Sequence, residues 1–182
     1  PMIAKIDVRK IVFTHFASLI DGKGKKQWGD WLLFLGIPVA CSLLMIIKKS
    51  IWVLNNDSLT TFVNLGSIFT ALFISVLMLV FDQMQKTDDK LKALANEGSK
   101  DIVHRDGLYA RLALMKEVVA NIAYSVVVSI LLVFTALGCQ FLGNTHVLTQ
   151  LFFAPISIFL ITNLLLTALM IIKRTYILVS TT

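Results

Sequence analysis

TTFVNLGSIFTALFISVLMLVFDQ (Thr60–Gln83) and VVANIAYSVVVSILLVFTALGCQFL (Val118–Leu142) decide how this chain folds. Each is a run of roughly two dozen mostly apolar residues, enough for a helix to cross ~30 Å of hydrocarbon. Between them lies a polar interval that holds many of the charges. Two further apolar runs flank the pair, about Trp31–Ile47 and Val147–Ile172. The pattern predicts an all-α, polytopic membrane protein with four transmembrane helices. An N-terminal amphipathic helix (within residues 2–27) and a cytosolic helical hairpin (residues 84–117) complete a single membrane domain.

Composition points the same way. Of 182 residues, 57% are hydrophobic and 15% charged, whereas soluble domains sit near half apolar and a quarter charged. The N-terminus shows no short apolar region ending in a small-residue cleavage site, so no cleavable leader is expected. Cys41 and Cys139 both lie inside apolar runs, which excludes a disulfide framework and a Cys-rich zinc site and favours inert thiols.

The N-terminal segment mixes Ile3, Ile6, Val8, Ile11, Val12, Phe13, Phe16, Leu19 and Ile20 with Lys5, Asp7, Arg9, Lys10 and His15. Many of the apolar residues recur at helical spacing with the basic ones mostly opposite, while Ile6–Arg9 also alternates like a short strand. Such a helix can lie in the headgroup plane or pack against the cytosolic ends of the bundle. Trp28 and Trp31 mark an interface before the first span (31–47), Trp52 anchors its far side, and Tyr176 does the same after the fourth. Pro38 removes a backbone donor from the first span and predicts a kink there. Asp57 or Ser58 is the expected N-cap of the second span (60–83).

The second span carries a polar line. Asn64, Ser67, Ala71, Ser75, Met78 and Asp82 recur at spacings of three and four, so they share one face. Without water, helices associate through small and polar residues, so this face meets other helices or lines an aqueous path. In the hairpin, Thr87-Asp-Asp-Lys is expected to cap a short helix through Leu94, and Asn96-Glu-Gly-Ser to break it. A helix beginning beyond Asp101 should enter the third span (118–142) unbroken. That span has a second polar line, Glu117, Asn121, Tyr124 or Ser125, then Thr135. The fourth span (147–172) holds Pro155, Ser157, Asn163 and Thr167.

Lys and Arg set the expected orientation. Six lie in the N-terminal segment, seven in the hairpin and two in the tail, against only Lys48 and Lys49 on the other side. This bias places both termini and the hairpin in the cytosol. The net charge of +6 is then mainly topology and weak support for nucleic-acid binding.

No nucleotide-loop, dinucleotide, nucleophile-elbow or HExxH pattern is present, and His15, His104 and His146 are scattered, so no enzyme, cofactor or metal is expected. Arg9-x5-His15 fits the loose Arg-x(4–6)-His spacing of a family of small helical ribonucleases. That spacing is short enough to arise by chance, and those enzymes carry it in a soluble bundle. No charge lies deep in a span, which argues against a proton-driven pump.

The order of a basic amphipathic segment, two spans, the Asp82-to-Glu117 hairpin and two more spans resembles the small multi-span subunits of bacterial anti-phage defence systems. Leu108-Tyr109 and Lys116-Glu117 leading into Asn121 belong to that likeness. It implies a subunit that oligomerises in the inner membrane and acts as an ion-conducting effector, or as a sensor beside a soluble partner. On the first expectation, Asn64, Ser67, Ser75, Asn121 and Ser125 face a lumen between copies. Met78 or Phe81 forms an apolar constriction, and Asp82 and Glu117 ring the cytosolic mouth. On the second, the same residues only pack helices, and the hairpin recruits a partner. A small transporter would need a midplane ligand site that the sequence does not show. The expected partners are membrane lipid, further copies of the chain, and a cytosolic protein, nucleotide or nucleic acid, with no small-molecule substrate.

Overall fold

The computed structural model describes residues 8–17, 29, 32–47, 55–96, 102–143 and 149–180. Among these residues all regular structure is helical: α1 (Val8–Ala17), α2 (Ile37–Ile47), α3 (Asn56–Asn96), α4 (Ile102–Leu142) and α5 (Ala154–Ser180). One wide π-helical turn leads into α2 (Leu32–Gly36) and another into α5 (Thr149–Phe153). α3, α4 and α5 are each long and apolar enough to cross a membrane. The apolar stretch ending in α2, Leu32–Ile47, is shorter.

α3 and α4 are 41 residues each and therefore ~60 Å long at 1.5 Å per residue. They form an antiparallel pair, the most extensive contact in the molecule. Gln140 Nε2 reaches Thr60 Oγ1 at 3.4 Å, Thr70 and Ser129 share a hydroxyl contact at 2.7 Å, and Thr87 Oγ1 meets Met115 Sδ at 3.9 Å. On α3 the buried residues Leu59, Gly66, Phe73, Val80 and Thr87 fall seven apart, and on α4 so do Met115, Ile122, Ser129 and Ala136. A seven-residue repeat keeps one seam facing the partner only if the helices wind about each other with left-handed twist. Gly66 sits at a close approach of the two helices. A Cβ there would lie 2.7 Å from Val133 Cγ2 and 3.1 Å from the Ser129 carbonyl oxygen.

α4 is the hub: α3, α5 and α1 all pack on it, and α2 packs on α5. The helices thus stand in the spatial order α3–α4–α5–α2. α3 scarcely touches α5. Burial follows: 44% of the most apolar stretch of α4 is buried and 39% of that of α5, but only 11% of that of α3. As the helix with three neighbours, α4 is the most covered, although Phe134 and Phe141 still stand exposed on it. The main core joins Phe73, Met115, Ile122, Tyr124, Leu132, Leu160 and Leu164, with Ile11 and Val12 of α1 against it.

Several boundaries depart from expectation. The second span and the first arm of the hairpin are one uninterrupted helix, with no new cap at Thr87, whose hydroxyl donates to the Gln83 carbonyl. No Gly or Pro lies between Ser67 and Asn96, and the Asp82–Lys86 and Asp88–Lys92 pairs at 2.6 Å bridge successive turns. The N-cap of α3 is Asn55, two residues before Asp57 and three before Ser58. Its Oδ1 accepts from Ser58 N at 2.8 Å and Ser58 Oγ at 2.6 Å. α5 continues past residue 172 through Lys173 and Arg174 to Ser180. As expected, α4 runs from the hairpin into the apolar run without a break. It ends on Gly143, whose φ of 78° lets its N–H close back on the Cys139 carbonyl at 3.1 Å.

Candidate functional site

Proline creates the site. In a regular helix the Phe34 carbonyl would accept from residue 38, but Pro38 has no N–H. The wide turn Leu32–Gly36 absorbs the mismatch, and Asn163 Nδ2 on α5 donates to the Phe34 carbonyl at 3.1 Å. Asn163 is otherwise a buried amide in an apolar helix, and its Oδ1 also needs a donor. Tyr124 on α4 supplies one, its hydroxyl donating at 2.9 Å. A single amide therefore ties α2, α4 and α5 together.

The other face of the Tyr124 ring is covered by His15 of α1, stacked at 3.9 Å between centroids with the planes 4° apart. His15 is fully buried, and its Nδ1–H donates to Asn121 Oδ1 at 2.8 Å. Phe16 closes the cluster edge-on to both His15 and Tyr124 and also packs on Phe34 and Met170. Burial, above all, lowers the His15 pKa to about 4; the Asn121 hydrogen bond opposes the shift and the Arg174 charge adds to it. The imidazole is therefore neutral at pH 7. One helical turn from Asn121, Glu117 pairs with Arg174 of α5 at 3.1 Å. More hydroxyl contacts continue the seam: Ser125 to the Asn121 carbonyl, and Ser157 to Thr135.

The residues singled out from sequence divide into two sets that do not meet. Asn64, Ser67, Ala71, Ser75, Met78 and Asp82 do share one face of α3, and all six are exposed, as is Phe81. Ser67 and Ser75 donate to the Val63 and Ala71 carbonyls of their own helix. Asn64 makes no hydrogen bond among the described residues. Asn121 and Ser125 are instead buried inside the protomer, toward α1 and α5. Glu117 is engaged by Arg174, and Asp82 by Lys86. Tyr176 is exposed; Trp28, Trp31 and Trp52 lie outside the described residues. Arg9 is exposed while His15 is buried, so the pair offers no common surface. Among the described residues no three His, Cys, Asp or Glu side chains gather as metal ligands.

The sequence places Tyr124 and Asn163 inside spans without pairing them, and His15 enters it as a polar residue of the N-terminal segment and as the second member of the Arg9-x5-His15 spacing. A signal existed for the Asn163 contact. A proline one turn into an apolar helix frees a carbonyl, and a mid-span Asn elsewhere is a natural donor for it. Nothing in the sequence pointed to the His15 stack.

The chain matches no family model, no curated protein and no solved structure.

Proposed function

We propose that the chain is a four-span subunit of a bacterial inner membrane, with both termini and the α3–α4 tip in the cytosol. Several copies close into a ring that conducts ions. The reading rests on one observation: the Asn64 amide stands on the exposed face of the least-covered long helix. A bare amide facing lipid costs several kcal/mol. Facing water or another copy, it does not.

In this reading α3 alone lines the path. Asn64, Ser67 and Ser75 are lumenal, Met78 and Phe81 constrict it, and Asp82 stands at the cytosolic mouth, while Asn121 and Ser125 belong to the protomer core. The hairpin arms beyond the membrane receive a cytosolic signal or partner, and opening depolarises the cell, in keeping with an anti-phage effector. A second reading has specific support too. The Ser67 and Ser75 hydroxyls are satisfied by their own helix, which suits a dry face between copies of a non-conducting sensor or anchor.

Ion flux from proteoliposomes separates the two. Conduction that Asn64→Leu reduces at least tenfold, with the oligomer preserved, supports the channel. Silent vesicles, or flux indifferent to Asn64→Leu, would overturn it.

A further inference from the structure

Two connections from α1 converge on Phe34. One is direct, because Phe16 packs on the Phe34 and Met170 side chains. The other runs from the His15 ring to the Tyr124 ring, from the Tyr124 hydroxyl to Asn163 Oδ1, and from Asn163 Nδ2 to the Phe34 carbonyl. Phe34 is no ordinary end point. It lies in the wide turn ahead of Pro38, where the backbone lacks a regular ladder bond and Asn163 holds the freed carbonyl, the kind of break at which helices bend. α1 itself is only ten residues long, too short to be stable as an isolated helix in water. Its backbone runs beside α4, with Phe16 reaching past it to Phe34 and Met170. Its apolar side is held there by Ile11, Val12, His15 and Phe16.

We propose that α1 is a latch. Seated on α4, it fixes the Tyr124–Asn163–Phe34 chain and so the proline joint at the head of α2; lifted off, it leaves Tyr124 and Asn163 free to turn and releases that joint. The device does not depend on whether the assembly conducts, so it stands or falls separately from the channel reading.

Hydrogen–deuterium exchange of the full chain in lipid nanodiscs tests it, with three segments followed together: residues 8–17, 34–40 and 66–80. His15→Ala should speed exchange in 8–17 by about tenfold and in 34–40 by about fivefold, the order expected for losing one to two buried contacts. Residues 66–80 should keep their wild-type rate. Tyr124→Phe keeps the ring under His15 but removes the hydroxyl, so 34–40 should again speed by about fivefold while 8–17 stays within about twofold. If His15→Ala loosens all three segments, Tyr124→Phe alone decides. The latch is refuted if α1 loosens while 34–40 keeps its rate, or if Tyr124→Phe leaves 34–40 unchanged.

Discussion

Replacing Gly66 by alanine should separate α3 from α4, and a matched change at Gly107 should do the opposite. Both glycines lie inside helices with ordinary φ, so both substitutions gain about 0.8–1 kcal/mol of helix propensity. At Gly107 nothing lies within 4 Å of the added Cβ, and that gain should appear in full. At Gly66 the methyl would sit 2.7 Å from Val133 Cγ2 and 3.1 Å from the Ser129 carbonyl. Val133 is β-branched and holds essentially one rotamer on a helix. The Ser129 carbonyl belongs to the backbone of α4 and can move only with the helix. Overpacking of this kind costs about 1–3 kcal/mol. Pushing the helices apart also stretches the 2.7 Å Thr70–Ser129 contact, worth about 1 kcal/mol. The expected balance is a loss of about 1–3 kcal/mol for Gly66→Ala against a gain of up to about 1 kcal/mol for Gly107→Ala. Thermal unfolding in detergent should lower the Tm by about 2–12 °C for the first and raise it by up to about 4 °C for the second. Equal stabilisation by the two variants would show that the seam at Gly66 is not close-packed.

Acid should loosen α1. Because the folded pKa of His15 is lowered to about 4, its contribution is complete above about pH 6.5. It drains away as pH falls from there toward 4, to a limit on the order of 3 kcal/mol. Protection of residues 8–17, taken relative to the intrinsic amide exchange rate at each pH, should therefore fall between pH 7 and pH 5 in the wild type and stay flat in His15→Gln. Asn55→Ala removes the acceptor for both Ser58 donors and should cost about 1 kcal/mol, read as a lower Tm with faster exchange confined to the first turns of α3. Glu117→Gln deprives the mostly buried Arg174 of its counter-charge, and should lower stability by about 0.5–1 kcal/mol, less so in high salt.

The long apolar helices and the unbroken passage of α4 out of the hairpin were legible because hydropathy and length are local properties of the chain. So was the shared face of Asn64, Ser67, Ser75 and Asp82, which follows from 3.6-residue geometry. Which way that face points is a tertiary matter, and there local pattern stopped helping. The polar lines of α3 and α4 look alike in sequence, yet Gly66 and its sevenfold neighbours turn the α3 line outward, while α1 and α5 cover the α4 line. The seam was readable in principle from Leu59, Gly66, Phe73, Val80 and Thr87, but their mixed chemistry hides a repeat that uniform leucines would announce. Thr87 misled because Thr before two acids is a fair helix start, and only the continuing i,i+4 ion pairs favour extension. Pro38 correctly signalled a distorted backbone, but the turn before it, and the amide that completes it, depend on a residue 125 positions away.

The length of the α3–α4 pair has a mechanical consequence. At ~60 Å it is about twice the ~30 Å hydrocarbon thickness, so with its apolar half in a bilayer the other half would stand clear as a stiff mast. A body gripping the mast near its top would have leverage over the half in lipid. Tilting by a few degrees moves the far end by an ångström or two, without any hinge in between.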